Sequence, residues 1–242
     1  MSAFRQRGLG LVELMVGITI GLIVAAGASM VAVNQISEHR RLMLETQIQQ
    51  DLRAAADLIQ QDLRRAGFRG RPEQGVWSPP RAVGTAAEKP AEVATANQFL
   101  EMVRTKNSDQ VSLTYLYARL GSNGVPADAE HFGIRWSRGT KALYVQIGSP
   151  DGRGNWQPIT DPESIRITDF DIEIESSPVV LPDFCDKPCS PAVAGAPACP
   201  TYEVRRIRFT ITAEAKHDAQ VKRTLTNVGR MRADVVNGAC PA

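Results

Sequence analysis

The sequence predicts an α+β chain in which one long N-terminal α-helix, membrane-spanning over its first half, packs on a mostly antiparallel β-sheet head. Three observations carry this expectation. Residues 14–37 hold no charged side chain, and at about 1.5 Å per helical residue such a run crosses a hydrocarbon core of about 30 Å. Beyond it, Leu44, Ile48, Leu52, Ala55, Ile59, Leu63 and Ala66 recur at intervals of three and four, which draws a single apolar stripe along a helix. From Val111 onward the recurrence shortens to every second residue, the period of strands with one covered face.

Length and charge set the bounds. A chain of 242 residues, less such a helix, leaves one globular domain of ordinary size. Its 28 Lys and Arg stand against 26 Asp and Glu, a balance that points to neither nucleic acid nor an anionic surface as a partner.

The helix is the first element. Because residues 8–12 are also uncharged, the carboxylate of Glu13 lies inside the apolar segment. A lone carboxylate there costs up to ~3 kcal/mol if it reaches mid-membrane, so it calls for a cationic partner. Gly17 and Gly21 form a small-xxx-small pair that lets another helix approach closely. After Glu38 the stripe continues, flanked by Arg40, Glu45, Asp51, Asp57, Asp62 and Arg64, and Gly67, Gly70 and Pro72 supply the stop. One helix from about residue 9 to 66 would measure on the order of 85 Å. A membrane-proximal coiled coil is the alternative reading of its second half.

Residues 70–97 turn to Pro, Gly, Ala and short polar side chains and read as an irregular connection, with Trp77 anchoring it by packing. Strands follow. Val111, Leu113, Tyr115 and Tyr117 mark one, and Phe132, Ile134 and Trp136 pair with Leu143, Val145 and Ile147 across Ser137-Arg138-Gly139-Thr140 as a hairpin. Asp151-Gly152-Arg153-Gly154-Asn155 is a turn that lacks the glycine and glutamate of a calcium loop. Further on, Asp169, Asp171, Glu173 and Glu175 alternate with Phe170, Ile172 and Ile174, while Arg206 and Arg208 alternate with Ile207, Phe209 and Ile211. An acidic and a basic ladder are complementary on neighbouring strands, so these two are expected to pair antiparallel. Residues 221–228 read as the last strand.

The cysteines, Cys185, Cys189, Cys199 and Cys240, all fall in the last quarter of the chain. Four cysteines allow three pairings and the sequence does not choose among them. Cys189 with Cys199 would close a local loop, and Cys185 with Cys240 would tie down the C-terminal tail. Zinc sites take closely spaced pairs on both sides, and only the first pair complies, so no metal site is expected. The histidines His39, His131 and His217 are dispersed, and no nucleophile elbow, phosphate loop, dinucleotide fingerprint or zinc-protease motif occurs. Neither a catalytic residue nor a cofactor is expected.

The N-terminal run Arg5-Gln6-Arg7-Gly8-Leu9-Gly10-Leu11-Val12-Glu13-Leu14 is a short basic leader ending in glycine, a mostly apolar pentapeptide, a glutamate and then the helix. In this it resembles the type IV prepilins and their relatives. The resemblance implies a leader at residues 1–8, cleavage by prepilin peptidase between Gly8 and Leu9, and N-methylation of Leu9. It makes Glu13 the fifth-position glutamate that recognises the N-terminal amine of a neighbouring subunit. Gly10 departs from the small hydroxyl residue usual there. An ordinary signal anchor is the competing reading, with Ala25-Ala26-Gly27-Ala28 imitating a signal-peptidase site.

Arg5 and Arg7 precede the span and His39, Arg40 and Arg41 follow it, so charge alone does not orient the chain. The resemblance puts the N-terminus inside. The head then lies in the periplasm, where disulfides persist. The implied organisation is a leader at 1–8, the membrane and filament-core half of the helix at 9–37, an amphipathic half at 38–67 and a pilin-like head at 68–242. No proline falls between residues 9 and 66, and the head is large and loop-rich. Both features resemble the PilW-like minor pilins of type IV pili more than the abundant shaft subunit.

That likeness implies residence in the bacterial inner membrane and then at a pilus tip, with roles in pilus initiation and twitching motility. The implied partners are other minor and major pilins, the prepilin peptidase and methyltransferase, and a large tip protein. The J-type pseudopilins of type II secretion are similar in plan, and a signal-anchored periplasmic binding domain is the alternative of a different class.

Overall fold

The computed structural model describes residues 10–71, 97–148, 154–185, 187–189 and 199–238. Helix α1 covers Leu11–Leu63. Compact packing divides the chain into two units, Met1–Gln47 and Ile48–Ala242.

In the first unit α1 exposes its apolar side chains: Leu11, Val12, Met15, Ile23 and Met30 all lie more than half accessible. It is the one described helix long and apolar enough to cross a membrane, with a mean hydropathy of 2.2 over its best window. Its hydroxyls are satisfied within the helix. Thr19 donates to the Met15 carbonyl at 2.7 Å, Ser29 to Ala25 at 2.8 Å and Ser37 to Asn34 at 2.8 Å, so none needs a partner in lipid. A Cβ added at Gly17 or Gly21 would meet nothing within 4 Å, so packing inside the chain does not require these glycines.

Among the described residues the second unit holds the rest of α1 and nine strands. Ile48, Leu52, Ala55, Ala56, Ile59, Leu63 and Ala66 are buried, as the stripe predicts, while Leu44 is half-buried. The helix ends a turn earlier than residue 66. Ala66 closes a tight turn onto Leu63, and Gly67 follows with φ +81°, its N–H donating to the Leu116 carbonyl at 2.8 Å.

The strands divide between two sheets instead of the single sheet expected. The first has the order β1-β2-β3-β4-β5, formed by Met102–Lys106, Gln110–Leu116, His131–Ser137, Ala142–Ile147 and Asn155–Pro158. The second comprises β6 (Ile165–Val180), β7 (Thr201–Ala215) and β8 (Asp218–Arg230), with β9 (Val235–Asn237) also on β7. Every pairing is antiparallel. The α+β architecture therefore holds. The β3–β4 hairpin forms as expected. The last strand is β9 and not the segment around Val221, which is β8.

Trp136 joins the two sheets, its indole N–H donating to the Ile167 carbonyl at 3.1 Å. Phe170, Ile172, Ile207, Phe209 and Ile211 are buried, whereas Ile174 is exposed where β6 runs out beyond the core. Residues 72–96, with Trp77, and the turn at residues 149–153 lie outside the described residues.

The acidic and basic ladders do lie on paired strands, with Glu173 opposite Arg208 and Glu175 opposite Arg206. The ion pair that forms is diagonal, Arg208 to Glu175 at 2.6 Å. Asp171 is different. It stands opposite Thr210 and reaches across to the other sheet, 2.9 Å from both Arg104 and Lys106 of β1. Arg104 also donates to the Ile172 carbonyl, covering the β6 edge. Partial burial raises the Asp171 carboxyl, but its bonds to Lys106 and Arg104 outweigh that and hold it below the usual range. A double-mutant cycle of charge reversals at Asp171 and Arg104 should show coupling of about 0.5–1 kcal/mol, discounted because the pair is one-third exposed. Asp171 and Arg208 should be additive, and the same coupling there would refute this geometry.

Candidate functional site

The residues that the sequence singles out sit at opposite ends of the chain. Gly8 and Leu9 lie outside the described residues. Glu13 occupies the first turn of α1, its backbone N–H bonded to the Gly10 carbonyl at 3.0 Å. There its carboxylate is aligned favourably with the free amides of the helix start. It is exposed, and among the described residues no ion pair reaches its side chain. Around it stand exposed Leu11, Val12, Leu14 and Val16. A carboxylate so placed on an apolar helix surface can accept a cation or a hydrogen-bond donor.

Cys189 and Cys199 form a disulfide with Cα atoms 5.1 Å apart. Cys185, which follows a single 3-10 turn at Pro182–Phe184, is also disulfide-bonded. Cys240 lies outside the described residues. Among the described residues no cluster of His, Cys, Asp or Glu has metal-binding geometry.

One constellation is not visible in the sequence. Asp62, on the flank of the apolar stripe, accepts hydrogen bonds from the hydroxyls of Tyr115 and Tyr117, the latter at 2.9 Å. Tyr117 stacks on Phe132 with ring centroids 3.6 Å apart, and Arg119 lies over that ring at 5.3 Å. Further links are Ser164 to Asp51 at 3.3 Å and Gln60 to the Val228 carbonyl at 3.3 Å. Together they fix the buried part of α1 against both sheets. In the sequence Asp62 reads as one of several solvated charges, and only its place beside Leu63 hints otherwise.

Burial, then the neighbouring Asp62 carboxylate, pushes the Tyr115 hydroxyl well above its ordinary value, and the same two causes raise Tyr117. A tyrosine unfolds to an ordinary pKa of about 10, so between that value and the raised one the unfolded chain holds fewer protons than the folded one. The stability from this pair is present in full below about pH 10 and is lost as the pH climbs further. Denaturant titrations from pH 8 to 11.5 should show this fall, and Tyr115→Phe with Tyr117→Phe should flatten it. Asp62→Ala should cost about 2–4 kcal/mol at pH 7, because it strands two hydroxyls, one fully buried. A pH profile unchanged by the double Phe variant would refute the assignment.

Two family models match the chain. One described as the prokaryotic N-terminal methylation motif covers residues 3–29, enclosing Gly8, Leu9 and Glu13. The other, described as prepilin peptidase-dependent protein B, covers residues 41–231, from the exposed part of α1 through β8. No curated protein and no solved structure matches. With a pilin-type N-terminus, a single long apolar helix, antiparallel sheets and a family match over more than half its length, this chain belongs to the family of prepilin peptidase-dependent protein B.

Proposed function

We propose that this chain is a minor pilin of a type IV pilus and that its role is structural, not catalytic. Prepilin peptidase cuts between Gly8 and Leu9, and Leu9 is N-methylated. The apolar half of α1 holds the protein in the inner membrane with its head in the periplasm until it is drawn into the initiating and tip complex with other pilins. The observation that carries this reading is Glu13, a carboxylate in the first turn of an exposed apolar helix with no ion-pair partner among the described residues. A charge so placed needs a cation from another molecule, and the amine of a neighbouring subunit supplies one.

Intact mass of the membrane-extracted protein is the test. The expected species begins at Leu9 and carries one methyl group. A chain beginning at Met1 or Ser2 removes the basis of the proposal. Deleting the gene should then abolish surface pili and leave secretion of folded exoproteins unchanged; the reverse outcome assigns the chain to type II secretion.

A further inference from the structure

Where the buried part of α1 ends, the head opens into a groove of about 1410 Å³. That is larger than the roughly 300–1,000 Å³ of small-molecule sites. Five arginines from three separate segments converge on it: Arg64, Arg65 and Arg69 after the helix, Arg119 after β2, and Arg232 between β8 and β9.

Each is brought there by a specific local structure. The left-handed Gly67 turns the chain after α1 so that Arg69 follows Arg65 onto the same rim. Buried Glu130 accepts the backbone N–H groups of Arg119 at 2.7 Å and Ala127 at 3.0 Å, holding the loop that carries Arg119. Asp234, the acidic residue in the lining, is already taken up by Arg230 at 2.8 Å and by the Tyr202 hydroxyl. Among the described residues the side chains of Arg64 and Arg232 have no ion-pair or hydrogen-bond partner, and both are exposed. The charges of Arg64 and Arg232 are therefore not answered by Asp234.

The same lining carries apolar Phe68, Leu100, Ala118, Val235 and Val236, together with Gln61, Asn97 and Asn237. One wall is β9 itself. It pairs with β7 along one edge, and among the described residues no strand takes its other edge. Such an edge is a template for another strand.

From these three features we infer that the groove receives an extended peptide segment of a partner protein, one that alternates acidic and apolar side chains and adds as a strand to β9. Strand addition supplies main-chain hydrogen bonds, and side chains at alternate positions fall into pockets on one face. In an alternating strand the carboxylates share one face, where they would meet guanidinium groups whose planar fork suits them, and the apolar side chains share the other. A nucleic acid would satisfy the arginines and leave the apolar lining and the strand edge unused.

The inference stands on the groove and not on cleavage or filament assembly. A chain that fails the mass test above still binds the peptide if this reading is right.

The test uses the full chain in detergent micelles and fluorescence anisotropy of a labelled octapeptide alternating valine and glutamate. Binding that weakens with salt is expected. Arg64→Glu with Arg232→Glu should weaken it more than about tenfold without changing thermal unfolding. Should that pair destabilise the head, Arg64→Gln with Arg232→Gln gives the same readout. N-methylation of alternate peptide bonds should also abolish binding. The proposal is overturned if the valine–lysine peptide binds equally well, if the N-methylated peptide is unaffected, if neither variant weakens binding, or if an oligothymidylate of equal charge binds more tightly.

Discussion

Alanine at position 13 is expected to leave the protein in the inner membrane at normal or raised levels while its content in sheared filaments falls more than tenfold. Removing the carboxylate takes away a desolvation cost of up to ~3 kcal/mol, so the variant is better suited to lipid than the natural chain. It also takes away the one charge in residues 8–37 that could hold an incoming amine. Two unit charges 4 Å apart attract by about 4 kcal/mol at the effective dielectric of a protein margin. Losing even half of that attraction lowers occupancy of a filament position by more than tenfold. Glu13→Gln should behave like alanine, because it keeps the size and loses the charge. Quantifying the protein in membrane and filament fractions decides the matter. Incorporation equal to wild type would show that Glu13 plays no part in assembly.

Gly67→Val is expected to destabilise the head by about 2–5 kcal/mol, a large share of the stability of a marginally stable domain. Two independent costs add. A β-branched residue at φ +81° meets a left-handed penalty of about 1–2 kcal/mol. Its Cβ would also lie 2.7 Å from the Cβ of Ala233 and 3.2 Å from a Leu100 methyl, and overpacking of this kind costs a further 1–3 kcal/mol. The neighbours have little room to yield. The Gly67 carbonyl is held by Asn97 at 2.8 Å and its N–H by Leu116. Urea denaturation followed by circular dichroism measures the loss. Gly70→Ala, where the added Cβ would sit 3.0 Å from Ala118, should cost less. A Gly67 variant within 1 kcal/mol of wild type would refute the crowding.

Elements whose physics is local could be read from the sequence. The buried stripe from Ile48 to Ala66 follows from spacing alone, as do the β3–β4 hairpin and the pairing of β6 with β7, whose charges alternate with opposite sign. What could not be read depends on neighbours far along the chain. Strand β1 has only two apolar residues, adjacent in sequence, and is mainly exposed. Its sequence, Met-Val-Arg-Thr-Lys, carries no alternation because it is an edge held by β2. Strand β9 is three residues long, below the length at which a period can appear. Trp136 and Arg104, which bond from one sheet to the other, make contacts with no counterpart in periodicity, and the division into two sheets cannot be read from it.

The same contrast holds for the sites. Glu13 stands out because a charge in an apolar run is conspicuous. Asp62 and the five arginines of the groove do not, because charged side chains are common along the helix and head and only folding decides which of them converge.

The internal bonds of Thr19, Ser29 and Ser37 bear on how such a helix changes surroundings. A span whose polar groups were satisfied by neighbours would have to exchange those contacts on leaving acyl chains for a bundle of other helices, and each exchange would raise a barrier. Here the three hydroxyls carry their acceptors with them, so in the proposed passage from bilayer to filament those bonds would stay as they are.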